Sequence, residues 1–334
     1  ETACYDVIIS NYFNKKSKNF LPQKKLFYAN LIESLKYGEN PHQSAALYSY
    51  EKNLEIKQLQ GGLLSYNNYN DIFSALAISK SLPKNIGTVI VKHTNPSGVS
   101  INKDKIKSFK LALKSDPVSA YGGIVSCNFK ISKDIALELN KIFLEVIIGV
   151  GISKDALKLL RRKKNLRVID SSNFRINSSQ IINSHFKNIL VQSSDNKKLS
   201  KKDFKIVSKV KPNKKMFDSL IFAFNICRFV KSNAIVLVKE DSTIGIGSGQ
   251  ASRIDSCKIA IDKMKTFQKN INKDAIIAAS DAFFPFTDGP ETLAHSGVST
   301  IVQPYGSIRD KEIIKFANKA GLALVFSKTR HFKH

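Results

Sequence analysis

Short apolar, β-branched runs separated by longer amphipathic stretches set the rhythm of this chain. Residues 88–92, 123–127, 145–148 and 166–169 read as buried strands, and residues 104–113 and 133–142 between them repeat apolar positions at helical spacing. A polar stretch rich in Lys, Ser and Asn follows over 171–213, with shorter strands at best. The alternation then resumes, with helices over 216–230, 253–267 and 310–319 and strands over 234–238, 275–279, 300–302 and 322–326. Strand and helix alternating in two successive blocks predicts an α/β fold. The pattern leaves room for an internal duplication, although no residue-level repeat marks one. Residues 14–25 (NKKSKNFLPQKK) read as a basic linker or surface loop, and a boundary between the two blocks falls near 194–202. The expected division is therefore a leading segment over 1–35, a first subdomain over 36–197 and a second over 198–334.

Composition narrows the class. A chain of 334 residues that is 43% hydrophobic and 24% charged can bury two ordinary cores or one large one. No run of about 18 uncharged apolar residues is present, so no membrane span or membrane partner is expected. The opening ETACYDVIISNYF lacks the layout of a signal peptide and starts with Glu1 rather than Met, which reads as a fragment of something longer. Cys4, Cys127, Cys227 and Cys257 are far apart and form no C-x-x-C pair, which fits free thiols in a reducing cytoplasm. With H-E-x-x-H also missing, no metal site is expected. The net charge of +26 comes mostly from Lys spread along the whole chain rather than gathered in a stripe. Nucleic acid is therefore not expected as a partner, while a basic body steers small polyanions.

The densest chemistry lies in VIVKHTNPSGV (89–99). Val89, Ile90 and Val91 form a strand, and the turn formers Asn95, Pro96, Ser97 and Gly98 predict that it ends near Thr94. Lys92 and His93 then stand where ligands gather in α/β proteins, beyond a strand end. A cation beside an imidazole suits a reaction in which one group steadies negative charge while the other moves a proton. A solvated lysine and a hydrogen-bonded histidine are the ordinary fate of such a pair, so its surroundings decide. Four further strings combine turn formers with functional side chains. KYGENPHQ (36–43) gathers a cation, a phenol, a carboxylate and an imidazole. SDPVSAYGG (115–123) offers a Gly-Gly close approach beside Tyr121. In IGIGSGQASR (244–253) a strand runs through glycines into a helix start near 251 or 252, where backbone N–H groups and Arg253 could hold phosphate. SDAFFPFTDG (280–289), with QPYGSIRD (303–310) and TRHFKH (329–334), sets three phenylalanines around Pro285 as an aromatic wall for a flat heterocycle.

Taken in order, these strings resemble the transformylase half of the bifunctional purine-biosynthesis enzymes with AICAR transformylase and IMP cyclohydrolase activities. The resemblance runs from TACYDVIISNYF to TRHFKH. It implies a cytoplasmic formyltransferase of IMP biosynthesis that moves a formyl group from 10-formyltetrahydrofolate, a reduced folate, to the amine of AICAR. It further implies a fold of two cytidine-deaminase-like α/β/α subdomains without zinc. The assembly would be a homodimer with active sites at the subunit interface, and a monovalent cation is possible. On this reading residues 1–35 join a cyclohydrolase domain absent from the chain, so cyclohydrolase activity is not expected from this fragment alone. His93 matches the proton acceptor and Lys92 the lysine that assists transfer. Lys36, Tyr37, Gly122, Asn233, Arg253, Phe283, Arg330 and His334 match nucleotide-binding positions, and Tyr121, Ile254, Pro285, Phe286 and Ser307 match positions on the folate side.

The chain departs from the family pattern at a few places. Lys36 stands where Arg is frequent and replaces a planar fork by a point charge. Thr287 replaces an Arg, Pro290 follows the glycine, and EVIIGVGIS (145–153) lacks the usual Ala-Pro. Two other readings remain at this level: a nucleotide- or RNA-binding module, and a catalytically degenerate assembly subunit.

Overall fold

The computed structural model describes all residues except Glu1, Lys52, 177–179, Asn270 and Lys273. Glu1, on which the reading of an incomplete start rests, and 177–179 of the polar stretch thus lie outside the described residues. The chain opens with α1 (Thr2–Lys16), none of whose residues is buried. The loop expected over 14–25 therefore begins only after Lys16. An antiparallel hairpin follows, β1 (Asn30–Leu35) and β2 (Ala45–Ser49), separate from the main sheet. Its mixed polar and apolar positions gave no clear strand signal.

The first half of the body comprises β3 (Lys57–Gln60), α2 (Tyr66–Ser81), β4 (Gly87–Lys92), β5 (Asn95–Ile101), α3 (Lys105–Ser115), α4 (Pro117–Ala120), β6 (Gly123–Cys127), α5 (Lys133–Leu139), β7 (Leu144–Gly149), α6 (Lys154–Leu160) and β8 (Arg167–Asp170). A second separate hairpin, β9 (Gln180–His185) with β10 (Asn188–Ser193), divides it from the second half. That half comprises β11 (Phe204–Ile206), α7 (Lys214–Cys227), β12 (Ile235–Lys239), β13 (Ser242–Gly247), α8 (Arg253–Phe267), β14 (Ile276–Ser280), α9 (Asp288–His295), β15 (Val298–Pro304), α10 (Asp310–Lys319) and β16 (Ala323–Ser327).

Both halves feed one 12-stranded mixed sheet, ordered β11-β16-β15-β14-β12-β13-β5-β4-β6-β7-β8-β3. Each half builds the same unit. A helix leads into an antiparallel hairpin, a second helix crosses to a strand antiparallel to the first hairpin strand, and two further strands follow in parallel. An antiparallel edge strand closes each end of the sheet. The duplication left open by the sequence is thus present in the topology. It also surfaces in residues, since Asp71, Lys92 and Gly98 recur as Asp218, Lys239 and Gly245 at one constant offset.

Both faces of the sheet are covered, which is why its central strands are apolar throughout rather than alternating. Val89 and Val91 point to one face and join α2 and α7 in a core common to both halves. Ile90 points to the other face, against α3, α5 and α6. The second half fills that face with a separate cluster under α8, α9 and α10. The four cysteines are free, and burial pushes the Cys127 and Cys257 thiols up to about 12, so both behave as core residues.

The halves meet where β13 pairs with β5 through a single register pair, Ser242 with Ser100. Side chains complete the seam. The Val99 N–H donates to Thr243 Oγ1 (2.9 Å), Lys263 Nζ reaches Asp116 Oδ2 (2.8 Å), and Gln268 Nε2 donates to the Lys114 carbonyl (2.7 Å). Because β5 and β13 are antiparallel, the two hairpin turns lie at opposite ends of the sheet.

Candidate active site

Lys92 ends β4, and Asn95 begins β5 directly opposite it in register. The turn is therefore His93–Thr94, and the predicted turn formers Asn95, Pro96, Ser97 and Gly98 lie inside the returning strand. The strand ends close to Thr94 as expected, but the expected turn over 95–98 is corrected. Asn95 and Pro96 were read by their local preference, whereas the ladder with β4 and the packing of Gly98 under α3 decide their conformation. Both turn residues have positive φ, 50° at His93 and 63° at Thr94, the geometry of a type I′ hairpin. His93 is exposed at the tip, while Lys92 is half-buried.

Neighbouring loops hold this tip from several sides. Lys92 Nζ donates to the Tyr121 carbonyl (2.6 Å), which brings Tyr121 and Gly122 against the Lys-His pair. Gly122 has φ 69°, a left-handed conformation that glycine adopts without strain. The Asp71 carboxylate on α2 accepts the His93 N–H (3.2 Å, Oδ2) and the Thr94 N–H (2.6 Å, Oδ1). Burial pushes the Asp71 carboxyl above its usual range, opposed by those two amide bonds. From the second half, the Lys231 N–H donates to Asn95 Oδ1 (2.9 Å). Lys333 Nζ, whose pKa burial draws down, donates to the Phe229 carbonyl (3.0 Å) and reaches the Thr94 carbonyl (3.4 Å).

Asn233 and Arg253 also meet at this end of the sheet. Arg253 begins α8 and is buried, and its Nη2 donates to Asn233 Oδ1 (2.6 Å). Its Nη1 donates to Ser280 Oγ (2.9 Å) and pairs with the fully buried Asp281. Asp281 also accepts from Ser232, and the His331 N–H donates to its carbonyl (3.0 Å). Both terminal nitrogens of Arg253, read from sequence as a phosphate partner, thus have protein partners. His331 is buried too, with Nδ1 2.5 Å from Asp195 Oδ2.

The aromatic string divides. Phe284 enters the core beneath α9, while Phe283 is half-buried and Pro285 and Phe286 are exposed. The expected wall of three phenylalanines is not formed, because the loop between β14 and α9 turns Phe284 into the core and leaves only Phe283 and Phe286 outside it. The Arg309 guanidinium covers the Phe286 ring at 4.8 Å, and Ser307 caps the turn before α10 through a bond from the Arg309 N–H (3.1 Å). Ile254 packs on the second-half core. Arg330 lies over Phe332 (4.4 Å), with His334 beside that ring (5.6 Å). Lys36 and Tyr37 stand apart on the β1–β2 loop, tied to the body where Asn67 Nδ2 donates to the Glu39 carbonyl (3.2 Å).

Asp71 is a residue of this rim outside every string the sequence singled out, while Asn95 entered only as a turn former and Lys333 only within TRHFKH. Asp71 sits mid-helix without a motif, and its only sequence trace is the constant-offset partner Asp218. Among the described residues, no group of three or more His, Cys, Asp or Glu side chains is arranged to hold a metal ion. No described helix is long and apolar enough to cross a membrane.

Comparison with known proteins places this rim in context. The chain is 41% identical to the bifunctional purine biosynthesis protein PurH of Leptospira biflexa over 337 residues. It is 42% identical to that of Buchnera aphidicola subsp. Schizaphis graminum over 350, and 41% identical to that of Bacillus cereus over 339. All of this chain is covered in each case, but it spans only 65–66% of the relatives' length. The profile of the AICARFT/IMPCHase bienzyme matches residues 1–263, which include the whole Lys92–His93 hairpin, Asn233 and the start of α8. The chain belongs to the AICARFT/IMPCHase bienzyme family.

Proposed function

We propose that this chain is an AICAR formyltransferase that uses 10-formyltetrahydrofolate as formyl donor. The observation that carries the reading is the Lys92–His93 pair, set where a central strand enters a two-residue turn and braced by both halves of the molecule. The AICAR amine is a weak nucleophile because its lone pair is delocalised into the ring. In the proposed step its nitrogen attacks the formyl carbon, a carbon–nitrogen bond forms, and the carbonyl oxygen becomes an oxyanion. His93 takes the amine proton. Collapse of the intermediate breaks the bond to N10 of the folate, which leaves with a proton. Lys92 supplies charge next to the oxyanion. An ammonium has three donors, and the Tyr121 carbonyl takes one of them.

Tyr37, Lys36, Gly122, Asn233, Phe283, Arg330 and His334 are assigned to the nucleotide. Arg253 is assigned to it through Asn233, whose amide it orients. Tyr121, Ile254, Pro285, Phe286 and Ser307 are assigned to the folate. Each repeated unit is read as a cytidine-deaminase-like subdomain, the first over 36–197 and the second over 198–334, with 1–35 as a joining segment. A homodimer is part of the proposal. Helix α1, with Tyr5, Tyr12 and Phe13 exposed, and the β9–β10 hairpin, with Phe186 and Leu190, display apolar side chains that a second copy would cover.

The test is a spectrophotometric assay of tetrahydrofolate release. Turnover that requires AICAR, and that falls by about 10²-fold or more in Lys92→Ala and His93→Ala, supports the assignment. A folded wild-type chain without turnover, or alanine variants that keep wild-type rates, defeats it.

A further inference from the structure

The His93–Thr94 turn places two side-chain-bearing residues where glycine is at home. Both have positive φ, and a β-branched threonine is among the residues least suited to that region. Two-residue hairpins of this kind are ordinarily built from Asn-Gly or Gly-Gly. Here the conformation is enforced from outside the hairpin. One carboxylate, Asp71, grips two successive amides, one with each oxygen. Asp71 is itself fixed on a helix whose start carries a reciprocal capping box between Ser65 and Asn68 and whose next residue, Ile72, is fully buried. The titratable groups around it are His93 on the turn and Glu145 on β7.

The duplicated half provides an internal comparison. Asp218 holds the corresponding place on α7, but it is exposed and pairs with Lys201 (3.4 Å) instead of a turn. The turn there is Glu240–Asp241, and only Glu240 has positive φ (53°). The clamp is therefore not a requirement of the fold. It accompanies the half that carries the histidine.

We propose that Asp71 is the positioning residue of the Lys92–His93 pair: its carboxylate holds the left-handed backbone of the turn and thereby aims the His93 imidazole, without touching substrate. This rests on reading the pair as the site of formyl transfer. The experiment compares wild type, Asp71→Asn, Thr94→Gly and the double variant in the full chain. Asparagine keeps the volume but can accept only one of the two N–H groups. Asp71→Asn is expected to lower kcat about 10²-fold while KM for both substrates stays within about threefold. Adding Thr94→Gly should restore about tenfold of that loss, because glycine takes up the turn without a clamp. A group that acted on the imidazole ring or only on global stability would not be replaced by a backbone substitution. Wild-type kcat in Asp71→Asn overturns the proposal, as does a loss that Thr94→Gly fails to restore. Failure of both Asp71 variants to fold beside a working wild type also overturns it, since Asp71 would then serve the fold. The amide resonances of His93 and Thr94 report the clamp without substrate: both move in Asp71→Asn, and an unmoved pair overturns the proposal. A wild type without transfer defeats the formyltransferase reading alone, and the amide resonances still decide whether Asp71 holds the turn.

Discussion

Gly98 and Gly245 occupy the same place in the two halves of the molecule: a Cβ on the first would run into the carbonyl oxygen of Ala112 on α3, and a Cβ on the second into that of Ala260 on α8. Each lets a helix lie directly on the returning strand of its hairpin. Gly98→Ala and Gly245→Ala should each cost about 1–3 kcal/mol or more, because the obstructing atom is backbone and cannot step aside. Gly62→Ala, where nothing stands within 4 Å of the added carbon, should stay within about 0.5 kcal/mol of wild type. Urea unfolding of the three variants provides the comparison.

Arg253 and Asp281 form an ion pair with both side chains buried, 8% and 0% exposed. Removing one partner leaves the other charge stranded among Ser280, Asn233 and Ser232. Arg253→Met is expected to cost about 3–5 kcal/mol, whereas the double change Arg253→Met with Asp281→Leu should recover much of it. If instead the single variant melts like wild type, the buried pair adds nothing to stability.

Asp195 should make the chain's acid stability pH-dependent. Burial raises its carboxyl pKa, but the bond to His331 and nearby positive charge outweigh this, so the net shift is downward. A depressed carboxyl stabilises the fold above its unfolded value of about 3.9 and loses that contribution as pH falls through the lower folded value. Asp195→Asn should therefore be less stable at neutral pH and show a shallower loss between about pH 5 and the acid limit. Denaturation midpoints measured across that range test the slope.

Phe286 is half exposed and faces Arg309 rather than the core. If it forms part of a wall for the folate ring, Phe286→Ala should raise KM for 10-formyltetrahydrofolate about three- to tenfold, with the melting temperature almost unmoved. The neighbouring Phe284→Ala should do the reverse, costing about 3–5 kcal/mol through the cavity it leaves.

The helices over 253–267 and 310–319 coincide with their sequence-predicted spans, since amphipathic spacing is a local signal. The central strands were likewise legible, within a residue or two, from their apolar runs. β5 was not, because Asn95-Pro96-Ser97-Gly98 has the composition of a turn and only pairing with β4 makes it a strand. The turn itself lacks any Asn-Gly signature, because the residue that holds it, Asp71, lies on another element. The separate hairpins escaped for the opposite reason. With little core behind them, β1, β2, β9 and β10 carry no apolar alternation to read. At the candidate site, the sequence strings that carry Lys92, Tyr121 and Gly122 do meet, whereas Lys36 and Tyr37 stand apart on another hairpin. Arg253 was legible as a cation at a helix start, whereas its pairing with Asp281 depends on a strand end far along the chain.

The two hairpins of the sheet point to opposite ends, and only one of their turns carries a histidine. At the far end, Lys239 closes β12 as Lys92 closes β4, and the turn after it carries Glu240 and Asp241 where the first half carries His93 and Thr94. The architecture thus contains a topological twin of the proposed Lys92–His93 position, already supported by a central strand and a glycine-packed helix. A protein engineer seeking a second reactive centre in this scaffold would need to alter side chains at that turn, not rebuild the backbone beneath them.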